Sequence, residues 1–189
     1  MIFTREHGGT IVAEEIRKLV FSKDPNEDME VETELLLFFA ARIQHIKKLI
    51  IPALESGKHV ISDRFDLSTF AYQVVARERL DLEESFKILN TFARGGIVED
   101  GRWVGALEPD LYIFLEVSPE LGLSRIALRG GERTRFDDEK LVFHQRVAAG
   151  LRSGIYDKPV TAVIDAEREL EEVRAEVLAH VKTIFEIEQ

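Results

Sequence analysis

The 189-residue sequence contains no cysteine, which excludes disulfides, thiolate nucleophiles and cysteine-ligated metal centres. Positive charge is also scarce: 25 lysines and arginines stand against 35 acids, for a formal net charge of −10. Such a protein repels nucleic acid and anionic membrane, so neither is an expected partner, and a polyanionic ligand needs a local cluster of cations. Long hydrophobic runs are missing too, and none approaches the roughly 20 residues of a membrane span. The expectation is a cytoplasmic protein. What remains is an ordinary globular composition, 45% hydrophobic and 32% charged, at a length that suits one domain with a sizeable core.

Residues 1–4 read as a short apolar lead-in and residues 5–10 as a loop with a tight turn. Thr10 is placed to cap a helix over about 11–21, where Val12, Ile16 and Leu19 recur at helical spacing. A long helix follows over about 32–54, then a buried strand over 59–63. Helices are expected to include 68–76 and to span about 82–94, with a loop over 95–109 that holds the single tryptophan, Trp103. A strand over 111–117, a helix over 119–129, a charged loop over 130–138, a strand over 162–165 and a helix from Leu170 complete the chain. Short strands alternating with helices predict an α/β fold with a parallel sheet, in a single domain over 1–189.

Residues 4–10, 32–45 and 61–73, Pro109-Asp110-Leu111, the arginines Arg125, Arg129 and Arg135, and Ile164-Asp165-Ala166, in order from residue 1 to the end, together resemble the bacterial thymidylate kinases. Thr4-Arg5-Glu6-His7-Gly8-Gly9-Thr10 is similar to the family's TREPGGT motif, with His7 where the family has proline. Residues 32–38, continuing through Arg42, Gln44 and His45, resemble its long helix, and residues 61–73 its DRY/DRH segment. Pro109-Asp110-Leu111 and the arginines Arg125, Arg129 and Arg135 resemble its strand and arginine-rich lid, here placed at about 125–138. Ile164-Asp165-Ala166 is similar to the loop that touches adenine. The resemblance implies a three-layer P-loop-kinase-like parallel sheet flanked by helices. It also implies phosphorylation of dTMP to dTDP with ATP and Mg²⁺ in dTTP synthesis, by a homodimer formed through the long helices.

Residue chemistry fits that assignment. Phe38 and Arg42 are four apart on one helical face, where a ring can stack on a pyrimidine and a guanidinium can donate to a base carbonyl. The alternative places Phe38 in a core stripe with Leu35 and Phe39. Asp63-Arg64 ends an apolar strand, where α/β sheets bind ligands. There Arg64 suits a phosphate and Asp63 suits Mg²⁺, directly or through water, unless the two merely form a surface ion pair. By resemblance, Arg5 faces the monophosphate, Thr69, Tyr72 and Gln73 line the nucleoside, and Tyr72 sits where a 2′-hydroxyl would be. Arg125, Arg129, Arg133 and Arg135 are expected to close over the donor phosphates, with Arg129 and Arg135 acting alongside Asp63 and Arg64 in transfer. Asp165 and Ala166 are expected at the adenine, and Gly131 reads as one residue more than the usual lid.

The resemblance also implies a first strand and a GxxxxGK[ST] loop, neither of which occurs in the sequence. The internal run 96–103 has the glycine spacing but Arg102-Trp103 in place of Lys-Ser/Thr, no preceding strand, and two acids, Glu99 and Asp100. It is rejected as a phosphate loop. The chain therefore reads as N-terminally incomplete or as completed by another chain. A central strand would be missing between residues 60–63 and 111–117, leaving those two edges unpaired or paired with each other. Two other readings are a relative that transfers phosphate without a P-loop, and a non-catalytic deoxynucleotide binder acting as sensor, inhibitor or subunit.

Overall fold

Short β-branched runs in this chain find partners far away in sequence. In the computed structural model, which describes residues 1–23, 26–100, 102–130, 133–155, 158 and 161–184 (the side chains of residues 102, 103 and 155 excepted), β1 (Ile2–Arg5) runs parallel to β2 (Val60–Asp63). Ile2 lies opposite Val60 and Arg5 opposite Asp63. The lead-in over residues 1–4 is thus a strand. Four residues are too few for a period of two to show, and a parallel strand takes its hydrogen bonds from a distant segment.

The loop expected over 95–109 also holds strands: β3 (Ile97–Glu99) and β4 (Arg102–Val104) form an antiparallel hairpin. The signal was present in sequence as Asp100-Gly101 between the runs Ile97-Val98-Glu99 and Arg102-Trp103-Val104. Asp100 takes a left-handed φ of 49°, while Gly101 lies outside the described residues. A second parallel pair joins β5 (Tyr112–Glu116) to β6 (Thr161–Asp165), with Glu116 opposite Asp165. The expected parallel sheet is present as these two pairs. Among the described residues β2 and β5 do not pair with each other, so each keeps one edge without a neighbouring strand.

Helices flank the strand pairs. α1 (Ile11–Phe21) is capped by Thr10, whose hydroxyl accepts from the Ala13 amide at 3.3 Å. It buries Ala13 and Val20, whereas Val12 and Leu19 are half exposed, so the expected apolar stripe faces inward mainly through its neighbours. α2 (Val31–His45) continues through a π-helical turn (Ile46–Ile50) into α3 (Ile51–Glu55). Pro52 accounts for the widening: it has no N–H to give and its ring crowds the carbonyl one turn back.

Beyond β2, α4 (Asp66–Thr69) opens into a second π-helical turn (Phe70–Ala76), followed by α5 (Glu83–Ala93), α6 (Pro119–Arg129), α7 (Leu141–Ile155) and α8 (Leu170–Ile184). Among the described residues no helix is long and apolar enough to cross a membrane.

α2 separates two apolar clusters. Phe38 joins Val20, Ala71, Ala76, Phe136, Phe143 and Val147, while Leu35 and Phe39 join Val74, Phe86 and Ala93. Phe38 therefore does not share a stripe with Leu35 and Phe39. It faces α1, the second π turn and α7.

Candidate nucleotide site

The carboxyl ends of β1 and β2 lie side by side, and the chain after β1 is drawn inward by the Glu6 amide, which donates to the Asp63 carbonyl at 2.9 Å. Gly9 makes this turn possible, and Gly8 lies close against the tip of Glu14. Gly9 has φ +79°, and a Cβ there would lie 2.6 Å from Thr4 Oγ1 and 2.8 Å from the His45 ring; one on Gly8 would lie 2.4 Å from Glu14 Oε1. Glu6 and His7 are buried as a result.

Glu6 meets Arg42 of α2. The Arg42 guanidinium has no solvent exposure; its Nε donates to Glu6 Oε2 at 2.8 Å and its Nη2 to Thr69 Oγ1 at 2.8 Å. His45, one turn further on, lies 3.7 Å from Glu6 Oε1 through Nδ1 and 2.7 Å from Thr4 Oγ1 through Nε2. Burial pushes the Glu6 carboxyl up, yet Arg42, His45 and His7 together hold it below the usual range. Arg42 Nη1 remains buried without a hydrogen-bond partner among the described residues, as does Glu6 Oε1. An orphaned guanidinium N–H costs stability and waits for an acceptor.

Phe38 is 3% exposed, and the His7 imidazole lies on its face at 3.9 Å between centroids and 27° between planes. Phe21 meets the Phe38 ring edge-on at 6.4 Å. Thr69 is fully buried beside Arg42. Tyr72 is half-buried on the π turn, with the Arg64 guanidinium over its ring at 5.4 Å. Gln73 turns to Glu34, donating to Oε1 at 2.7 Å.

Arg64 follows β2 with a left-handed φ of 69° and an exposed side chain. A non-glycine residue held there is strained by the order of 1–3 kcal/mol, which marks the position for scrutiny. Asp63 is exposed beside it, and Arg5 forms an exposed ion pair with Glu14 at 3.1 Å. Arg17 of α1 belongs to the same group, and no motif in the sequence marks it. Its Nη1 donates to the His7 carbonyl at 3.2 Å. Burial, then Arg5, lowers its pKa; Glu14 opposes this, Arg64 adds to it and Asp63 opposes. Arg17 on α1 thus feels both Arg5 and Arg64 at the two strand ends, a cationic patch on an acidic protein with Glu14 and Asp63 beside it.

The lid arginines divide. Arg125 Nη1 donates to the Ala166 carbonyl at 2.8 Å, which brings α6 to the loop after β6, where Asp165 is exposed. Arg129, one turn on, is exposed. Arg133 pairs with Asp138 at 2.9 Å. Arg135 instead reaches inward, donating to the Val20 carbonyl at 2.6 Å and pairing with Glu34, the buried carboxylate that also receives Gln73. Gly131, the supposed extra lid residue, lies outside the described residues. Phe136 goes further in and packs against Phe21, Phe38 and Tyr72. Its sequence signal was an aromatic residue inside an otherwise charged loop.

Parallel strand pairs flanked by helices, with arginines gathered beyond the strand ends, define an α/β protein of the P-loop-kinase-like class. The family model for thymidylate kinase matches residues 1–177. A thymidylate kinase of Lactobacillus helveticus is 43% identical over 183 residues, covering 94% of this chain and 79% of the relative. Those of Lactobacillus delbrueckii and Staphylococcus epidermidis are 41% and 36% identical, over 98% and 96% of this chain and 82% and 85% of their own lengths. The chain belongs to the thymidylate kinase family, whose members are phosphotransferases.

Proposed function

We propose that the chain binds dTMP between α2 and the second π turn and takes part in moving the γ-phosphoryl group of ATP onto it, giving dTDP. The observation that carries this reading is Arg42. Among the described residues its Nη1 has no hydrogen-bond partner, it sits one helical turn from Phe38, and a pyrimidine carbonyl would supply the acceptor it lacks. Thr69 completes the polar side of the base site, and Tyr72 lies along the sugar, where its ring disfavours a 2′-hydroxyl.

Arg64, Arg5 and Arg17 would hold the monophosphate, which removes the repulsion they exert on one another. Arg125, Arg129 and Arg133 stand for the donor phosphates, with Asp165 and Ala166 at the adenine. Arg135 and Gln73, both committed to Glu34, are better placed to hold the lid and the π turn than to touch phosphate. Among the described residues no group of three potential ligands forms a cation cage. Asp63 alone nevertheless suits Mg²⁺, which keeps its waters and is held largely by substrate phosphates. Bound there, Mg²⁺ would neutralise charge between donor and acceptor phosphates.

Two copies joined through their long helices remain part of this reading, supported by Leu36, 54% exposed on α2; sedimentation at the monomer mass would remove it.

Calorimetry with dTMP tests the site. Phe38→Ala and Arg64→Ala are each expected to weaken binding by about 1–3 kcal/mol, the scale of a stacked base or a charge-assisted hydrogen bond. Affinity unchanged in both variants rules this site out. The non-catalytic alternative predicts the same binding, but without any effect of ATP or of the lid arginines.

A further inference from the structure

Among the described residues Phe38 has a single stacked partner, His7, which comes from the protein itself. The His7 ring covers it at 3.9 Å, while its Nε2 lies 3.4 Å from Thr69 Oγ1, the hydroxyl that also receives Arg42. The imidazole thus makes the contacts that the proposed base site offers a pyrimidine: a ring face on Phe38 and a polar edge toward Thr69 beside Arg42. His7 is 6% exposed and Phe38 3%, so no room is left for a second ring on that face.

Two features make His7 able to leave. It stands on the turn after β1 rather than within a helix or strand, next to Gly8 and Gly9. Its backbone carbonyl is held from outside by Arg17, a residue of the cationic patch. A phosphate that draws Arg17 toward itself loosens that hold.

Resting on the proposed dTMP site, we propose that the His7 side chain fills the pyrimidine subsite of the ligand-free protein and is displaced when a deoxynucleotide base enters. His7 then acts as an internal competitor. The apparent affinity for dTMP is reduced by the fraction of molecules in which the imidazole is in place, so a subsite open in a tenth of molecules binds about tenfold more weakly than an open one. Arg17 links the two halves of the ligand: the phosphate engages it, and the base takes the place of His7.

The test joins calorimetry to histidine NMR on the full chain with dTMP as the probe. His7→Ala and His7→Ser are expected to bind dTMP about tenfold more tightly than wild type, whereas Phe38→Ala binds more weakly. In the wild-type protein, the His7 ring resonances, identified by their loss in His7→Ala, are expected to be displaced by the Phe38 ring current. On saturation with dTMP they should move toward those of an exposed histidine. The NMR arm stands even if a His7 variant folds poorly.

His7 resonances that stay put at saturating dTMP, or equal or weaker binding by both His7 variants while Phe38→Ala still impairs it, would overturn the displacement and leave the dTMP site standing. No binding by the wild type or by either His7 variant would remove the site, and the displacement with it.

Discussion

Arg42 carries a full positive charge with no solvent exposure, a placement that costs several kcal/mol unless partners surround it. Glu6, Thr69 and the ring of Phe39, 5.2 Å away, surround most of it. The His7 imidazole beside this pair is kept neutral: burial lowers its pKa from 6.5 to about 3, against the pull of Glu6 and with the help of Arg42, Arg64 and Arg17. A group whose pKa falls on folding takes up more protons when unfolded. Its contribution to stability is therefore complete above pH 6.5 and is lost progressively as the pH drops toward about 3. Glu6, also lowered, begins to add to the loss below its ordinary value of 4.5. Urea melts between pH 6.5 and 4.5 should show stability falling by up to about 1.4 kcal/mol per pH unit from His7. The same series on His7→Leu should be flatter by that slope; an equal slope would show that His7 is already charged in the folded protein.

At the scale of elements, the contact between α7 and the second π turn places Tyr72 and Gln73, and Gly150 allows it. A Cβ on Gly150 would lie 2.9 Å from the Ala71 Cα and 3.0 Å from the Val75 Cβ, neither of which can swing away. Gly150→Ala is expected to destabilise by about 1–3 kcal/mol despite the better helix propensity of alanine. Gly122 on α6 is the internal control, since its Cβ would meet only Val117 Cγ1 at 3.8 Å. There the change to alanine should stabilise by about 0.4–1 kcal/mol. Thermal melts of the two variants decide it, and shifts of the same sign would refute the packing argument. The helices themselves were legible from apolar spacing and caps, as Thr10 shows. Their π-helical turns were not: Pro52 marks one of them, but nothing local announces the turn over Phe70–Ala76, which α7 packs against.

For the whole molecule, the two strand pairs and the composition of residues 1–189 make one expectation. The sequence has no GxxxxGK[ST] run, and in the proposed reading the arginines would position the donor phosphates. Each preorganised donor lost from such a site costs about 2.7–4 kcal/mol in the transition state. Residues 1–189 by themselves, supplied with ATP, Mg²⁺ and dTMP, are expected to form dTDP far below the usual kinase range of about 1–100 s⁻¹. A strand–P-loop–helix segment supplied in trans should raise that rate, by giving β2 and β5 a common neighbour and the donor its amide cradle. Turnover above about 1 s⁻¹ that is abolished in Arg129→Ala would show instead that the lid arginines suffice.

By itself the sequence determined the alternation of helix and strand, the cationic lid in an acidic chain and the family, because these rest on local periodicity and on motifs whose residues stand close together. Phe38 and Arg42 could be paired in advance because a helix fixes i and i+4 on one face. Tertiary structure alone decided what covers them. Nothing in the sequence brings His7 onto Phe38, Glu6 to Arg42, Arg17 to the His7 carbonyl or Arg135 to Glu34, since each contact joins elements whose approach is set by packing. The strand of residues 2–5 belongs to the same group: four residues acquire their structure only from the partner that hydrogen-bonds to them.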